Sequence, residues 1–359
     1  MKNSVEQLFQ IAKKLLVQLI ETPSISREEH KTADLLCAFF AHHGIKTERI
    51  ANNVLVRNRA FSSEKPTVLL NSHHDTVKPV AAWHTNPFEA IEREGKMFGL
   101  GSNDAGAPLV SLAAAFLYFY EQEHLPFNLL FVASAEEEVS GAGGLELVMK
   151  ELHEDIACAI VGEPTSLRMA VAEKGLLVLD CTAHGTAGHA AHATGENALY
   201  KAVDTIQTLR NFAFEKSSEF LGTVKTTVTM IQAGTQHNVI PAECTFTVDV
   251  RTNEHYTNAE VLQILEEKLA PTTLRARSLR LNSSHIALSH PLVHAAQSIG
   301  IELYGSPTMS DQVFLPHLPS VKIGPGDTLR SHTANEFIYE HELKNGIETY
   351  IQLLENLNL

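Results

Sequence analysis

Apolar residues near the start of the chain recur every three to four positions, which is the spacing of an amphipathic helix. Over residues 4–21 these positions are Val5, Leu8, Ala12, Leu15, Leu16 and Leu19. Ser26 and Glu29 stand three residues apart before the next such segment, which is the spacing of a capping box. The pattern therefore predicts a second helix that opens at Ser26 and carries Ala33, Leu36, Cys37 and Phe40 on one face.

Short apolar runs then alternate with helical segments. Residues 67–71, 128–134 and 156–161 have the length and composition of buried strands, and residues 107–123 are predicted to form a helix. Strands that alternate with helices are typical of an α/β domain with a mainly parallel sheet. We therefore predict this fold class.

The order of elements changes after residue 174. A strand, a helix, two strands, a helix and a strand are predicted at residues 175–183, 196–212, 223–231, 243–250, 258–269 and 273–281. This is the order of a small ferredoxin-like α+β domain. The α/β pattern returns with a helix near 291–300, a strand at 319–323 and a terminal helix from 336. We predict an α/β domain, residues 1–173 and 286–359, interrupted by an inserted domain, residues 174–285.

Composition and charge narrow the possible partners. The chain has 44% hydrophobic and 19% charged residues, as a globular protein does, and its net charge of −14 argues against a nucleic-acid partner. The first residues mix acids, amides and lysines into the apolar pattern, and the longest apolar run is too short to span a membrane. The four cysteines form no CxxC pair. We expect reduced thiols, no membrane contact and a cytoplasmic location.

Acidic and histidine side chains follow the predicted strands of the α/β domain, where open sheets form their sites. They are His73 and Asp75 after the first strand, Glu136, Glu137 and Glu138 after the second, Glu163 after the third, Asp104 before the helix and His332 late in the chain. This set offers nitrogen and oxygen ligands and no sulfur, which suits zinc or another borderline divalent ion. A bridging carboxylate would allow two ions, and an acid beside the ligands, such as Glu137, could act as a general base.

Each motif taken alone has an ordinary alternative. His73 and Asp75 could lie on a solvated loop, and Asp104 could be a plain helix N-cap. The glycines around Asp104 suggest a dinucleotide fingerprint, but an aspartate stands where the third glycine should be and would repel a pyrophosphate. The chain contains no G-x-S-x-G, which argues against a serine hydrolase.

Five motifs together carry a resemblance. SHHDTVKP, GLGSNDAGA, ASAEEEVSG, VGEPTS and RSHTANE occur in the order found in the M20 family of co-catalytic zinc amidohydrolases and peptidases. The chain resembles that family from about residue 10 to its end. The resemblance implies a zinc-exopeptidase-like catalytic domain, an inserted lid and dimerisation domain, two Zn²⁺ ions for which Co²⁺ can substitute, and a homodimer.

The resemblance also implies roles for individual residues. One zinc site would comprise His73, Asp104 and Glu163, and the other Asp104, Glu138 and His332, with Asp104 bridging, Glu137 as general base and Asp75 orienting His73. The family often has Asp-Glu-Glu where this chain has three glutamates, which leaves the base and the ligand ambiguous by one residue. Matching the following Val139 and Ser140 assigns the ligand to Glu138. The family also often has Met-Lys-Gly after the bridging aspartate, where this chain has Ala-Gly-Ala, and this departure removes no ligand.

Three residues of the inserted domain match family positions. His189 resembles a histidine that stabilises the oxyanion in the neighbouring subunit's active site, and Asn238 and Arg251 match positions that hold the substrate carboxylate. Without the resemblance, His189 would be interpreted as a turn residue and Arg251 as a surface cation.

Several further stretches, among them EKGLLVLD, GTQHNVIP and KIGPG, most resemble the ornithine deacylase branch of the family. This implies hydrolysis of the N-α-acyl amide of N-acetyl- or N-succinyl-L-ornithine in arginine biosynthesis. A succinyl group would need a second cationic contact, for which Lys174, Arg168 and Arg280 are candidates. The alternatives are a dipeptidase or exopeptidase, an N-acetyl-citrulline or N-acetyl-lysine deacylase, and an inactive binding protein.

Overall fold

The computed structural model of the chain describes residues 4–192 and 194–359. Its helices are α1 Val5–Ile20, α2 His30–His42, α3 Ala107–Phe119, α4 Leu145–Glu151, α5 Ala198–Asn211, α6 Asn258–Leu269, α7 Pro291–Ser298 and α8 Glu340–Glu355. Its strands are β1 Glu48–Ile50, β2 Asn53–Arg57, β3 Thr67–His73, β4 Ile91–Arg93, β5 Lys96–Phe98, β6 Asn128–Ser134, β7 Ile156–Val161, β8 Met169–Glu173, β9 Gly175–His184, β10 Gly188–His189, β11 Lys225–Ala233, β12 Val239–Ile240, β13 Glu243–Thr252, β14 Thr273–Ala276, β15 Ser284–His285, β16 Leu303–Ser306, β17 Ser320–Lys322 and β18 Phe337–Tyr339. Within these residues, no helix is both long and apolar enough to cross a bilayer.

The chain divides into two compact units. The first comprises Met1–Val171, Ile286–Tyr304 and Ser310–Leu359, and the second comprises Ala172–His285 and Gly305–Met309. The short segment 305–309 therefore belongs with the second unit, although the sequence pattern placed it with the α/β domain.

A mainly parallel sheet forms the centre of the first unit. Its strand order is β1-β2-β6-β3-β7-β17-β8, and β6, β3, β7 and β17 run parallel. Strands β3 and β6 are buried along their whole length, as is usual when both faces of a parallel sheet are covered. This confirms the predicted α/β fold with its mainly parallel sheet.

The two faces of β6 pack against different helices, because successive side chains of a strand point to opposite sides. On one face, Phe131 contacts Phe40 of α2 and Phe116 of α3, with ring centroids 5.4 and 6.0 Å away. On the other face, Leu130 and Val132 share a core with residues of α4.

The second unit contains a four-stranded antiparallel sheet in the order β11-β13-β9-β14. Alternate residues of β9 and β13 are buried, because α5 and α6 pack against one face of this sheet. The main strands and helices follow one another as β9-α5-β11-β13-α6-β14, which is the predicted β-α-β-β-α-β order. The last strand, β14, ends at Ala276, five residues before the predicted end at 281.

Two predicted helix starts are wrong. Helix α2 begins at His30, and the Ser26 hydroxyl donates a hydrogen bond to the carboxylate of Asp75, 2.7 Å away, instead of capping the helix. Helix α8 begins at Glu340 rather than at 336, because residues 337–339 form β18, which pairs with β5. In both places the backbone follows a long-range partner that sequence spacing does not reveal.

Candidate metal centre

Three neighbouring parallel strands end at one edge of the sheet. His73, the last residue of β3, lies opposite Ser134, the last residue of β6. Asn71 of β3 lies opposite Val161, the last residue of β7, and Glu163 follows two residues later. Because Glu137 and Glu138 follow Ser134 by three and four residues, the register brings all of these side chains to the same edge.

His73 lies at the centre of a cluster of carboxylates and is 1% exposed. Its Nε2 atom is 3.2 Å from Oδ1 of Asp104, 3.7 Å from Oε1 of Glu163 and 4.0 Å from Oε2 of Glu137. These three acids reach His73 from three separate segments of the chain.

His332 lies on the other side of Asp104. Its Nε2 atom is 2.8 Å from Oε2 of Glu138 and 3.7 Å from Oδ2 of Asp104. One oxygen of Asp104 therefore faces His73 and the other faces His332. This is the arrangement that a carboxylate bridging two cations requires.

The donor atoms suit divalent cations. Among the residues that the structure describes, two groups have ligand atoms that all lie within 4.8 Å of one another, namely His73 with Glu137 and Glu163, and His73 with Asp104 and Glu138. Imidazole nitrogens and carboxylate oxygens are ligands for zinc and similar ions. Distance alone does not separate Glu137 from Glu163 as a partner of His73. The contact of Glu138 with His332 distinguishes Glu138 from its neighbour Glu137.

Burial dominates the electrostatics of the acids. It raises the pKa of Glu137 and of Glu163 well above the usual value, with the nearby carboxylates adding to the effect for both. Burial also raises the pKa of Glu138. A divalent cation offsets such repulsion between crowded carboxylates.

The pKa values of the two histidines are also raised, because the neighbouring carboxylates favour the charged imidazole. Burial lowers the pKa of His73, but hydrogen bonds to Asp104 and Asp75 outweigh burial and raise that pKa well above its usual value. The hydrogen bond to Glu138 raises the pKa of His332 to about 9. Metal binding requires neutral imidazoles, so a cation that binds here releases protons.

Asp75 connects His73 to the acidic turn. Its backbone carbonyl is 3.0 Å from Nδ1 of His73, and its carboxylate accepts hydrogen bonds from the backbone N–H groups of Glu137 and Glu138 at 3.0 and 3.2 Å. Burial raises the pKa of Asp75, but the hydrogen bonds with His73 and Ser26 and the charges of His73 and His74 together outweigh burial and lower it. Asp75 is therefore ionised and contacts both His73 and the turn that carries Glu137 and Glu138.

The buried acids Glu29 and Glu336 accept hydrogen bonds from backbone groups near the centre, although the sequence assigned neither a functional role. Glu29 was interpreted as part of a capping box, yet its carboxylate accepts hydrogen bonds from the backbone N–H of Glu136 at 3.3 Å and from the side chain of Asn52 at 3.0 Å. Glu336 belongs to the RSHTANE motif, and its carboxylate accepts hydrogen bonds from three backbone N–H groups of the Asp104 loop. Position within a motif was the only available signal for Glu336.

The structure places the remaining predicted residues in the second unit. His189 is exposed on β10, opposite Val239 of β12, and the carbonyl of Asn238 accepts a hydrogen bond from the N–H of Ala190 at 3.0 Å. His189 and Asn238 therefore lie together on one small ribbon.

Arg251 lies elsewhere in that unit. It is near the end of β13, eight residues beyond Glu243 at the start of that strand, and its guanidinium pairs with Asp249 at 2.8 Å. At about 3.3 Å per residue, this places Arg251 roughly 26 Å along β13 from the start of that strand, which follows β12 of the ribbon. The structure does not bring Asn238 and Arg251 of one chain together.

The sheet gathers histidines and acids at its strand ends, and two of the histidines lie on either side of one carboxylate. This arrangement is typical of a metal-dependent hydrolase. Comparisons with known proteins agree. The model of Peptidase family M20/M25/M40 matches residues 69–356. The chain belongs to this family.

Individual relatives support the same class. The chain is 28% identical over 264 residues to succinyl-diaminopimelate desuccinylase 2 of Ruegeria sp. (strain TM1040), a match covering 69% of this chain and 67% of that protein. Aminopeptidase PepT from Bacillus cereus has a similar fold, with a TM-score of 0.78 at 18% identity over 97% of this chain and 98% of that one. A dinuclear metal-binding M20 peptidase from Bacillus subtilis has a TM-score of 0.74 at 16% identity over 97% of this chain and 98% of that one.

Proposed function

We propose that this protein hydrolyses the N-α-acyl amide of an N-acyl amino acid, foremost N-acetyl- or N-succinyl-L-ornithine, and releases L-ornithine and the carboxylic acid. The observation that carries the proposal is the carboxylate of Asp104 between His73 and His332, with Glu137 beside His73. The ornithine branch rests on the motifs EKGLLVLD, GTQHNVIP and KIGPG. The desuccinylase relative supports removal of an acyl group from an amino acid in general. Arginine biosynthesis in the cytoplasm is the proposed setting.

We infer that the metal is zinc. His73, Asp104 and Glu163 would hold one ion, and Asp104, Glu138 and His332 the other. When bound, such a pair of ions polarises the amide carbonyl and lowers the pKa of a water molecule.

Glu137 acts as the general base and then as the general acid. Its carboxylate takes a proton from the water whose oxygen attacks the amide carbon. It then delivers that proton to the amide nitrogen, the C–N bond breaks, and the amine leaves with both electrons of that bond. The backbone N–H of Glu137 donates a hydrogen bond to the carboxylate of Asp75, 3.0 Å away, and this bond keeps Glu137 in place.

Substrate binding falls to the second unit. We propose that Asn238 and Arg251 bind the substrate carboxylate and that His189 stabilises the oxyanion. The distance of roughly 26 Å along β13 supports a site in which Arg251 and the His189 ribbon come from different subunits. Exposed apolar side chains support such a homodimer, because Met230 and Ile231 on the edge strand β11 are 55% and 47% exposed.

The cations around Arg251 favour an acyl group with its own carboxylate. Lys225 lies directly opposite Arg251 on the neighbouring strand. Burial, followed by the charges of Lys225 and Arg251, lowers the pKa of Lys174. Among the candidates for a second cationic contact, Lys174 lies near Arg251, whereas Arg168 pairs with Glu302. This supports N-succinyl-ornithine over N-acetyl-ornithine.

A substrate panel tests the proposal. The protein, treated with a chelator and then resupplied with zinc, is assayed on N-acetyl-ornithine, N-succinyl-ornithine, N-acetyl-citrulline, N-acetyl-lysine and simple dipeptides. The proposal predicts that an N-acyl-ornithine has the highest kcat/KM and that activity disappears with the chelator and returns with zinc. A preference for dipeptides would favour an exopeptidase. No bound metal and no hydrolysis would favour a binding protein.

A further inference from the structure

We propose that Glu336 is a positioning residue of the metal centre, and that its buried carboxylate controls how tightly the cation between Asp104 and His332 is held. The inference rests on the proposed function in one respect, which is that the cluster holds two cations. It assigns a role to a side chain that neither touches a cation nor touches substrate.

Glu336 contacts the loop that carries Asp104. Glu336 is 2% exposed. Its Oε1 atom accepts hydrogen bonds from the N–H groups of Asn103 and Asp104, both at 2.8 Å, and its Oε2 atom accepts one from Gly101 at 3.1 Å. Three backbone groups next to the bridging ligand are thus held by one side chain.

Glu336 also belongs to the segment that carries His332. The carbonyl of Glu336 accepts a hydrogen bond from the N–H of Gly99 at 3.1 Å. The side chain of Asn103 returns the contact through two hydrogen bonds to the backbone of Asp327, at 3.0 and 3.1 Å. Residues 99–104 and 327–336 therefore form one hydrogen-bonded assembly, which we call the clamp.

The clamp affects the position of His332 more than that of His73. His73 ends a buried strand, and Asp75 fixes its ring. The side chain of His332 is 54% exposed, on a turn where His332 and Asn335 have left-handed φ values of 59° and 58°. Such a backbone persists only when its surroundings hold it. The position of His332 relative to Asp104 therefore depends on the clamp.

The three donors around position 336 require a carboxylate. A carboxylate accepts hydrogen bonds at both oxygens, whereas an amide of the same size presents an NH₂ group to one side. In Glu336→Gln, the NH₂ group would face either the N–H of Gly101 or those of Asn103 and Asp104. The amide cannot satisfy all three donors.

Calorimetric zinc titration of the metal-free protein tests the inference, with Glu340→Gln as the matched control. Glu340 lies four residues away and pairs with Lys13, 3.1 Å from it, so this control changes charge nearby without touching the clamp. For Glu336→Gln, we expect one of the two zinc affinities, that of the site formed by Asp104 and His332, to fall roughly 10- to 100-fold, as for other groups that orient metal ligands, while the other affinity stays unchanged. Glu340→Gln should titrate like the wild type.

Several outcomes would contradict the inference. If both sites of Glu336→Gln keep the wild-type affinity, or if both weaken equally, Glu336 has no selective role. If the wild type itself binds fewer than two zinc ions, the two-cation proposal fails first. If metal-free Glu336→Gln does not fold, Glu336→Asp is titrated instead, because it keeps the charge but shortens the reach, and unchanged affinity there overturns the inference.

Discussion

Two adjacent glutamates have different surroundings at the metal centre. Glu138 contacts His332, whereas Glu137 lies 4.0 Å from His73, and its backbone N–H is held by Asp75. The sequence left open by one residue which glutamate is the ligand and which is the base, because nothing within three consecutive glutamates distinguishes one from the next. The contacts support Glu138 as ligand and leave Glu137 free to move a proton.

Replacing Glu137, the proposed base, should separate the loss of catalysis from metal binding. We expect Glu137→Ala to retain zinc and to lose roughly 10²- to 10⁴-fold in kcat, the usual contribution of a general base. Metal analysis and steady-state kinetics measure the two properties. The neighbouring Glu136→Gln is the control and should keep most of its activity. A near-normal kcat in Glu137→Ala would show that another group is the base.

Asp311 is a buried acid whose charge destabilises the folded protein. It is 1% exposed, its Oδ2 atom accepts a hydrogen bond from the Ser134 hydroxyl at 2.5 Å, and its Oδ1 atom has no partner among the described residues. Burial raises the pKa of Asp311 from 3.8 to about 6. Between these values the folded state holds a proton that the unfolded state has lost, so stability falls as pH rises from about 4 to about 6.

Removing that charge should stabilise the protein at high pH only. For metal-free Asp311→Asn at pH 8, we expect the free energy of unfolding to exceed that of the wild type by about 2 to 3 kcal/mol, and at pH 4 by much less. Urea unfolding at both pH values measures this difference. The exposed Asp34→Asn should show no such gain. Equal stability of Asp311→Asn and the wild type at pH 8 would mean that the charge is not costly.

At the scale of elements, the register of β3, β6 and β7 assembles the site. Ser26 contributes to it from the segment before α2, since its hydroxyl donates to Asp75 at 2.7 Å. Ser4, in contrast, is a true cap, because its hydroxyl accepts from the N–H of Gln7 at the start of α1.

The two serines should therefore respond differently to substitution. Ser26→Ala is expected to cost about 2 kcal/mol of stability, as for a hydrogen bond to a charged group, and to reduce kcat because Asp75 orients His73. Ser4→Ala is expected to cost about 1 kcal/mol, as for a lost N-cap, with kcat unchanged. Urea unfolding and kinetics distinguish the two. If Ser26→Ala keeps full activity, its bond to Asp75 has no functional role.

The predictability of each element follows from how local its causes are. The bounds of β6 and β7 were predicted to the residue, because a buried strand is a continuous apolar run. The small sheet of β18, β5 and β4 was not predicted, since its strands have three residues each and β18 pairs with β5 across most of the chain. The strand-end residues were found from their chemistry, whereas Glu29 and Glu336 act on backbone groups that become neighbours only in the fold.

At the scale of the whole molecule, the proposed dimer makes Arg251 and His189 of one site belong to different subunits. Arg251→Ala and His189→Ala should each be inactive as homodimers. When the two variants are unfolded together and refolded, half of the dimers are mixed, and one of the two sites in each mixed dimer is intact. We expect recovery of about a quarter of the wild-type activity. No recovery despite mixed dimers on native mass spectrometry would contradict the shared site.

The most direct measurement is anomalous X-ray diffraction at the zinc absorption edge from crystals grown with zinc. The account predicts two peaks, one on each side of the Asp104 carboxylate, the first beside His73 and Glu163 and the second beside Glu138 and His332. A cluster with no anomalous peak, or with zinc bound only elsewhere on the chain, would contradict it.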